Sequence, residues 1–305
     1  TVTEDFCTSQ GGEWTNQNAK WSTSTSTSTY NFYWRIIRTN EDGSVRLLYA
    51  GTNHNTTSGY IGSSKFNENY NDPMYVGYMY GTSGSLANNR TNANDSAIKT
   101  VIDAWYENNL LTNYDKYISK DAIYCNDRSV SDNNYSTSSN FDYGTSTRLA
   151  DNKAPTYKCG GNTSDGLFES AQALADKFSA STEGGGNGQL KYPIAMMTID
   201  EIAFAGGLTA TSLNSPYAWY YTNSQGESIT GNNWWWSLSP IGWYGSYARV
   251  WYVTGSDKPG NLGRNVVQLG SWVRPSVSLA SCVGIKSGNG TPESPYEIDY
   301  ENSCS

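Results

Sequence analysis

Two runs rich in β-branched and aromatic residues, FYWRIIRTN from Phe32 and SVRLLYAG from Ser44, flank Asn40-Glu41-Asp42-Gly43. Strand-like runs around an Asp-Gly pair predict a hairpin. From Ser96 the period changes, because Ile98, Val101, Ile102 and Trp105 recur at helical spacing behind the candidate N-caps Asn94, Asp95 and Ser96. A second apolar stripe, Leu167, Phe168, Ala171, Leu174, Ala175 and Phe178, follows Ser164 and Asp165 and must stop before Gly184-Gly185-Gly186. It predicts a second helix. A strand-like run over Tyr192–Met197 then meets Thr198-Ile199-Asp200-Glu201, a capping box in which Thr198 and Glu201 satisfy each other's backbone amides. Ile199, Ile202 and Ala203 face inward on that short helix, and Gly206-Gly207 ends it. From Tyr217 onward the pattern reads as short strands and loops.

In the strand Ala248–Val253 a period of two places Ala248, Val250 and Tyr252 on one face and Arg249, Trp251 and Val253 on the other. The run Trp234, Trp235 and Trp236 belongs to the core. At the other extreme, residues 1–29 end in a Ser/Thr alternation, Ser22 to Thr29, without a side chain large enough to bury, and read as a tether. Residues 30–305 then form a single domain whose triple glycine is a loop. Helices set among strands without regular βαβ alternation predict an α+β fold.

Composition narrows the partners. Lys and Arg number 20 against 28 Asp and Glu, a net charge of -8, and no basic stripe exists. Nucleic acid and anionic membrane are therefore excluded as partners. Only 16% of residues are charged, while Tyr, Trp, Asn, Ser, Thr and Gly abound, a polar but weakly charged makeup associated with exported proteins that meet sugars, other proteins or cell walls. No apolar run reaches the about 18 residues that a membrane helix needs. The expectation is an extracellular chain, anchored at the cell surface through a segment outside this sequence.

The five cysteines, Cys7, Cys125, Cys159, Cys282 and Cys304, contain no CxxC, which argues for disulfides over a zinc ribbon or a redox pair. Cys125 with Cys159 is the favoured bridge, closing a polar excursion, and Cys7 with Cys282 or Cys304 would tie the ends of the chain together. One thiol is left over. His54 alone cannot build a triad or a His-ligated metal site, and no nucleophile elbow, P-loop or dinucleotide fingerprint is present. Asp200 and Glu201 are helix neighbours pointing to different sides, so capping explains them better than acid/base chemistry. Asn126, Asp127, Asp132, Asn133, Asn134, Asn140 and Asp142 offer oxygen ligands suited to a structural calcium, although their spacing matches no EF-hand and turn formation explains them as well.

The succession WRIIRTNEDGSVRLLYAGT, YNDPMYVGYMYGT, YCNDRSVSD, PTYKC, YPIAMMTIDEIAFAGG, WWWSLSP, YARVWYVTG, VRPSVSL and KSGNGTPESPYEI, over about residues 30 to 298, resembles an uncharacterised family of secreted or surface-anchored proteins of Gram-positive, often gut-dwelling, bacteria. Within it, residues of about 190–285 resemble C-type-lectin-like domains of the formylglycine-generating-enzyme type. The resemblance implies structural roles for Glu201, Trp235 and Arg274 and a ligand face on the loops between Trp236 and Trp272. Enzymes of that type hold copper on a cysteine pair, and Cys282 has no near neighbour in sequence to complete one. Relatives diversified by retroelements vary in this same region, where Asn232, Asn233, Tyr244, Ser246, Tyr247, Asn261 and Asn265 are residue types such diversification yields.

The expectation is a non-catalytic, adhesin-like protein that recognises a glycan or protein through Trp243, Tyr244, Tyr247, Arg249, Trp251, Arg264 and Asn265, with no cofactor. Aromatic rings and arginine carry most recognition energy at protein surfaces. Two alternatives stand beside it. The resemblance to a family with pilin-like members implies the soluble head of a surface-filament subunit, and dispersed carboxylates would suit a polysaccharide-acting enzyme.

Overall fold

A computed structural model describes residues 31–130, 135–159, 176–182, 188–209, 218–255 and 258–304, together with the short strands Glu13–Thr15 and Asn18–Lys20. The chain divides into the units Thr1–Asn31 and Phe32–Ser305. In the first, those two short strands pair antiparallel, and the rest of the tether expected over residues 1–29, its Ser22 to Thr29 alternation included, lies outside the described residues. The second unit is a mixed α+β structure dominated by sheet.

The expected hairpin is present as Trp34–Thr39 and Val45–Tyr49. Gly43 turns it at a φ of 78°, and the Asp42 carboxylate accepts from the Ser44 backbone N–H at 2.9 Å. This pair forms half of a four-stranded sheet that runs Ala195–Met196, Pro275–Leu279, Val45–Tyr49, Trp34–Thr39. Of the strand expected over Tyr192–Met197 only Ala195 and Met196 enter the ladder, opposite Ser276 and Pro275.

The helix after Ser96 spans Ala97–Asn109, capped by the Ser96 hydroxyl, which accepts from the Lys99 backbone N–H. Its buried face centres on Ile98, Ile102 and Tyr106. The capping box also forms: the Thr198 hydroxyl accepts from the Glu201 N–H at 3.1 Å and a Glu201 oxygen accepts from the Thr198 N–H at 2.9 Å, opening helix Ile199–Phe204. Ile199 and Ile202 are buried beneath it, while Ala203 is half-buried.

The second expected helix is corrected at its one described end. Most of its stripe lies outside the described residues, but Phe178 sits in a strand, Asp176–Ser179, paired antiparallel with Tyr124–Asn126. Ladder pairing and ion pairs to Asp176 outweigh a helical spacing of apolar residues, because local propensity yields to tertiary context. A further difference from the expected strands and loops is the helical turn Ala218–Tyr221.

A larger sheet carries the aromatic C-terminal segment. Its order is Leu208–Thr209, Asn261–Val266, Tyr247–Val253, Trp235–Tyr244, Gly270–Trp272, Ser63–Lys65, and Phe141–Asp142 also pairs with Trp235–Tyr244. The central strand, Trp235–Tyr244, accommodates Pro240 because its ladder shifts register there, and a bulge tolerates a residue that cannot donate.

Apolar cores lie against both faces. One contains Trp236, Leu238, Trp243, Ala248 and Val250 with helix residues Ile98, Ile102 and Tyr106. The other contains Trp235, Ile241, Trp251, Val253 and Leu262 with Ile199 and Ile202. The period-two assignment of the Ala248–Val253 faces therefore holds, but the Trp251 face is covered rather than outward. Among the described residues no helix is long and apolar enough to cross a membrane.

Candidate functional site

Among the described residues twelve charged ones are buried, and most of them are tied to one another. Arg148 is buried between two carboxylates, with Nη1 donating to Asp127 at 2.9 Å and Nη2 to Asp200 at 2.6 Å. Burial alone would lower the Arg148 pKa, but Asp127 and Asp200 outweigh it and raise it. Arg128 and Arg90 converge on Asp176 at 2.5 and 3.1 Å, and Arg38 meets Glu201 at 2.9 Å with Arg46 beside it. Asp200 and Glu201 thus anchor arginines on different sides of the short helix. Arg274 has no carboxylate at all: its guanidinium donates to the carbonyls of Tyr49 and Tyr220 and lies 4.8 Å from the Trp235 ring centre. Burial pushes its pKa down to about 9.

The expected calcium ligands divide three ways. Asp132, Asn133 and Asn134 lie outside the described residues. Asn126 accepts from the Tyr78 backbone N–H and donates to the Leu238 carbonyl, and Asp127 receives Ser129 and Arg148. Asn140 accepts from the Gly245 N–H, and Asp142 is part of the large sheet. Asn126, Asp127 and Asn140 are structural hydrogen-bonding groups. Among the described residues no group of three or more His, Cys, Asp or Glu could hold a metal ion. His54 is half-buried, its ring 5.9 Å from that of Tyr33.

Cys125 and Cys159 are bridged as expected. The second bridge is a correction, because Cys304 bonds Cys282 instead of Cys7. The two cysteines are 22 residues apart, joined through a terminal excursion whose Ile285–Ser287 and Glu297–Ile298 strands pair with each other and bring the two sulfurs together. Cys7 lies outside the described residues.

The seven expected ligand-binding residues fall into three groups. Tyr244, Arg249, Trp251 and Arg264 share one face of the large sheet: Gly242 stands opposite Arg249 and Trp251 opposite Arg264, and directly opposed residues of an antiparallel pair point the same way. The Tyr244 ring folds over Gly242, where any side chain would collide with it at 2.6 Å. Both guanidiniums flank that ring, Arg249 at 5.5 Å and Arg264 at 5.3 Å from its centre, within cation–π range.

Tyr247 occupies the tip of the hairpin. It is 42% exposed and stacks on Tyr70 with ring centres 5.2 Å apart. The two-residue turn before it, Gly245 and Ser246, has φ of 56° and 68°, the paired left-handed conformation that continues the twist of a hairpin.

The remaining two are corrected. Trp243 pairs with Ala248 and Asn265 with Val250, on the opposite face of the sheet. Trp243 is 3% exposed in the first core, and the Asn265 side-chain oxygen accepts from the Val266 N–H. Trp251, although on the correct face, is also only 3% exposed, because the second core covers it. Sequence reasoning missed Tyr70, which has no signal near the hairpin in the chain, and Gly242, whose lack of a side chain makes room for the Tyr244 ring.

No protein-family model matches the chain, and no curated protein or solved structure matches it.

Proposed function

We propose that this chain is a non-catalytic, extracellular binding protein of a bacterial surface, and that it grips its ligand at the end of the large sheet. Tyr244, Tyr247, Arg249 and Arg264 form the contact surface. The observation that carries the reading is Tyr244 flanked by two guanidiniums that form no ion pair. Elsewhere in the protein arginines are locked to carboxylates or carbonyls, which is how a fold uses arginine for stability. Here the same residue type is held in place by a ring and by strand register, and its donors remain for something else. Rigid aromatic side chains beside guanidiniums are the usual composition of a recognition patch. Two disulfides suit an oxidising, extracellular setting, and the resemblance of residues of about 190–285 to C-type-lectin-like domains places the ligand face of such domains in the same stretch.

The test is a glycan and protein array probed with the soluble chain and with a variant carrying Tyr244→Ala, Tyr247→Ala and Arg264→Gln. Tyr247 and Arg264 are exposed and Tyr244 is only partly packed against the second core, so the variant stays folded, whereas replacing Trp243 or Trp251 would open a core. Binding by the parent chain that drops at least about tenfold in the variant is expected. Equal binding by both would remove the site.

A further inference from the structure

The sheet face at Tyr244 carries donors that find no acceptor among the described residues. All nine arginines of the chain are among the described residues, and seven of them, Arg35, Arg38, Arg46, Arg90, Arg128, Arg148 and Arg274, donate to a carboxylate or a backbone carbonyl. Arg249 and Arg264 do neither. The Arg249 Nε is buried without an acceptor, and so is the indole Nε1 of Trp251, which lies two residues along the same strand and opposite Arg264. A buried donor without an acceptor is costly, and native proteins keep few of them. Two buried donors without an acceptor, Arg249 Nε and the Trp251 indole N–H, therefore lie on one face with the exposed guanidinium of Arg264, in a chain with an acidic excess of eight charges, 28 against 20.

We propose that the ligand of this face is a carboxylated sugar, a uronic or sialic acid, whose carboxylate is received by Arg249 and Arg264 beside the Tyr244 ring. The proposal rests on the reading of this surface as the binding site and adds the chemistry of the ligand. Planar guanidiniums match a carboxylate in bidentate fashion, so a pair of them selects an anion rather than a neutral hydroxyl. The surrounding groups suit a sugar better than a peptide. Tyr247–Val253, which carries Arg249, is paired along both edges and gives a peptide no edge to extend, although the outer edge of residues 263–266, beside Arg264, has no partner strand among the described residues. What the hairpin tip offers instead is the hydroxyl of Ser246 and the exposed ring of Tyr247, groups that meet hydroxyls and C–H faces.

The experiment follows the Trp251 indole N–H and the Arg249 Nε–H in heteronuclear magnetic resonance spectra of the full chain. The probes are glucuronate, galacturonate and N-acetylneuraminate, each beside its carboxyl-reduced counterpart, with N-acetylglutamate as a carboxylate without a sugar ring. At least one acidic sugar is expected to move both resonances saturably. Its reduced form and N-acetylglutamate should bind at least about tenfold more weakly, the worth of one charge-assisted contact. Arg264→Gln, at an exposed position, should weaken the acidic sugar to a similar degree while leaving core amide resonances in place. If no acidic sugar moves either resonance, or if a reduced form moves them equally, the carboxylate assignment is overturned. N-acetylglutamate binding as tightly as the sugars would overturn the sugar. Array binding that depends on Tyr244 but persists with carboxyl-reduced glycans would overturn this proposal while leaving the binding surface intact.

Discussion

Raised from pH 10 to about pH 11.5, the protein is expected to unfold in one steep transition in which its buried tyrosines ionise together. Tyr78, Tyr124, Tyr143 and Tyr221 are each at most 3% exposed. Burial pushes the Tyr124 phenol up to about 12 and the other three well above the ordinary tyrosine range. Between about pH 10 and those raised values the unfolded chain releases these protons and the folded chain keeps them, so stability is intact below pH 10 and falls as pH rises. Each phenol contributes a slope of about 1.4 kcal/mol per pH unit, and four give about 5.5. One unit is comparable to the whole stability of an ordinary domain. Tyrosinate absorbance and far-ultraviolet dichroism recorded against pH should therefore change at the same point. A smooth titration of all tyrosines near pH 10 with the dichroism unchanged would contradict it.

Arg148→Met is expected to be the most damaging single substitution among the ion pairs. It preserves much of the volume but leaves Asp127 and Asp200, 3% and 4% exposed, without their cation. Removing one partner of a buried pair costs about 3–5 kcal/mol, and here one arginine serves two carboxylates, which places the loss toward the upper end. The variant should also acquire a pH dependence. Burial already raises the Asp200 pKa even though the Arg148 hydrogen bond opposes it, and without Arg148 only burial and the neighbouring Asp127 remain to raise it further. A carboxyl with a raised folded pKa is more stable protonated, so its penalty shrinks as pH falls below that value toward the usual carboxylate range and returns as pH rises. Urea melts of the variant should accordingly show a larger recovery on acidification than the parent, and Asp127→Asn combined with Asp200→Asn should restore part of the loss at neutral pH. A loss below about 1 kcal/mol at pH 7 would show that the triad is dispensable.

What could be read from the chain was chemistry that closes within a few residues. The Asp42-Gly43 turn, the Ser96 cap and the reciprocal Thr198/Glu201 bonds are specified by neighbours, and each is found where spacing puts it. That Arg249 and Trp251 share a face also followed from a local rule, the period of two, whereas Tyr244 and Arg264 join them only through strand pairing. Layering was not legible. Nothing in ARVWYV says that a second core covers the Trp251 side, because the covering residues, such as Ile199 and Ile202, come from a helix some fifty positions earlier. The same holds for Asn265, one position from Arg264 and on the other side of the sheet, and for Phe178, whose strand exists only because Tyr124–Asn126 pairs with it. Arg148 is the strongest case: its partners are 21 and 52 residues away, and no spacing rule connects them.

Placing so many of the few charges inside has a consequence for how the protein meets its surroundings. Dissolved ions weaken attractions between exposed groups over about 8–10 Å but hardly reach pairs from which water has been removed. Arg148 with Asp127 and Asp200, and Arg128 with Asp176, have side chains no more than 6% accessible. Brine and fresh water should therefore leave the scaffold equally firm, whereas any attraction of an anion to the exposed Arg264 would fall as salt rises.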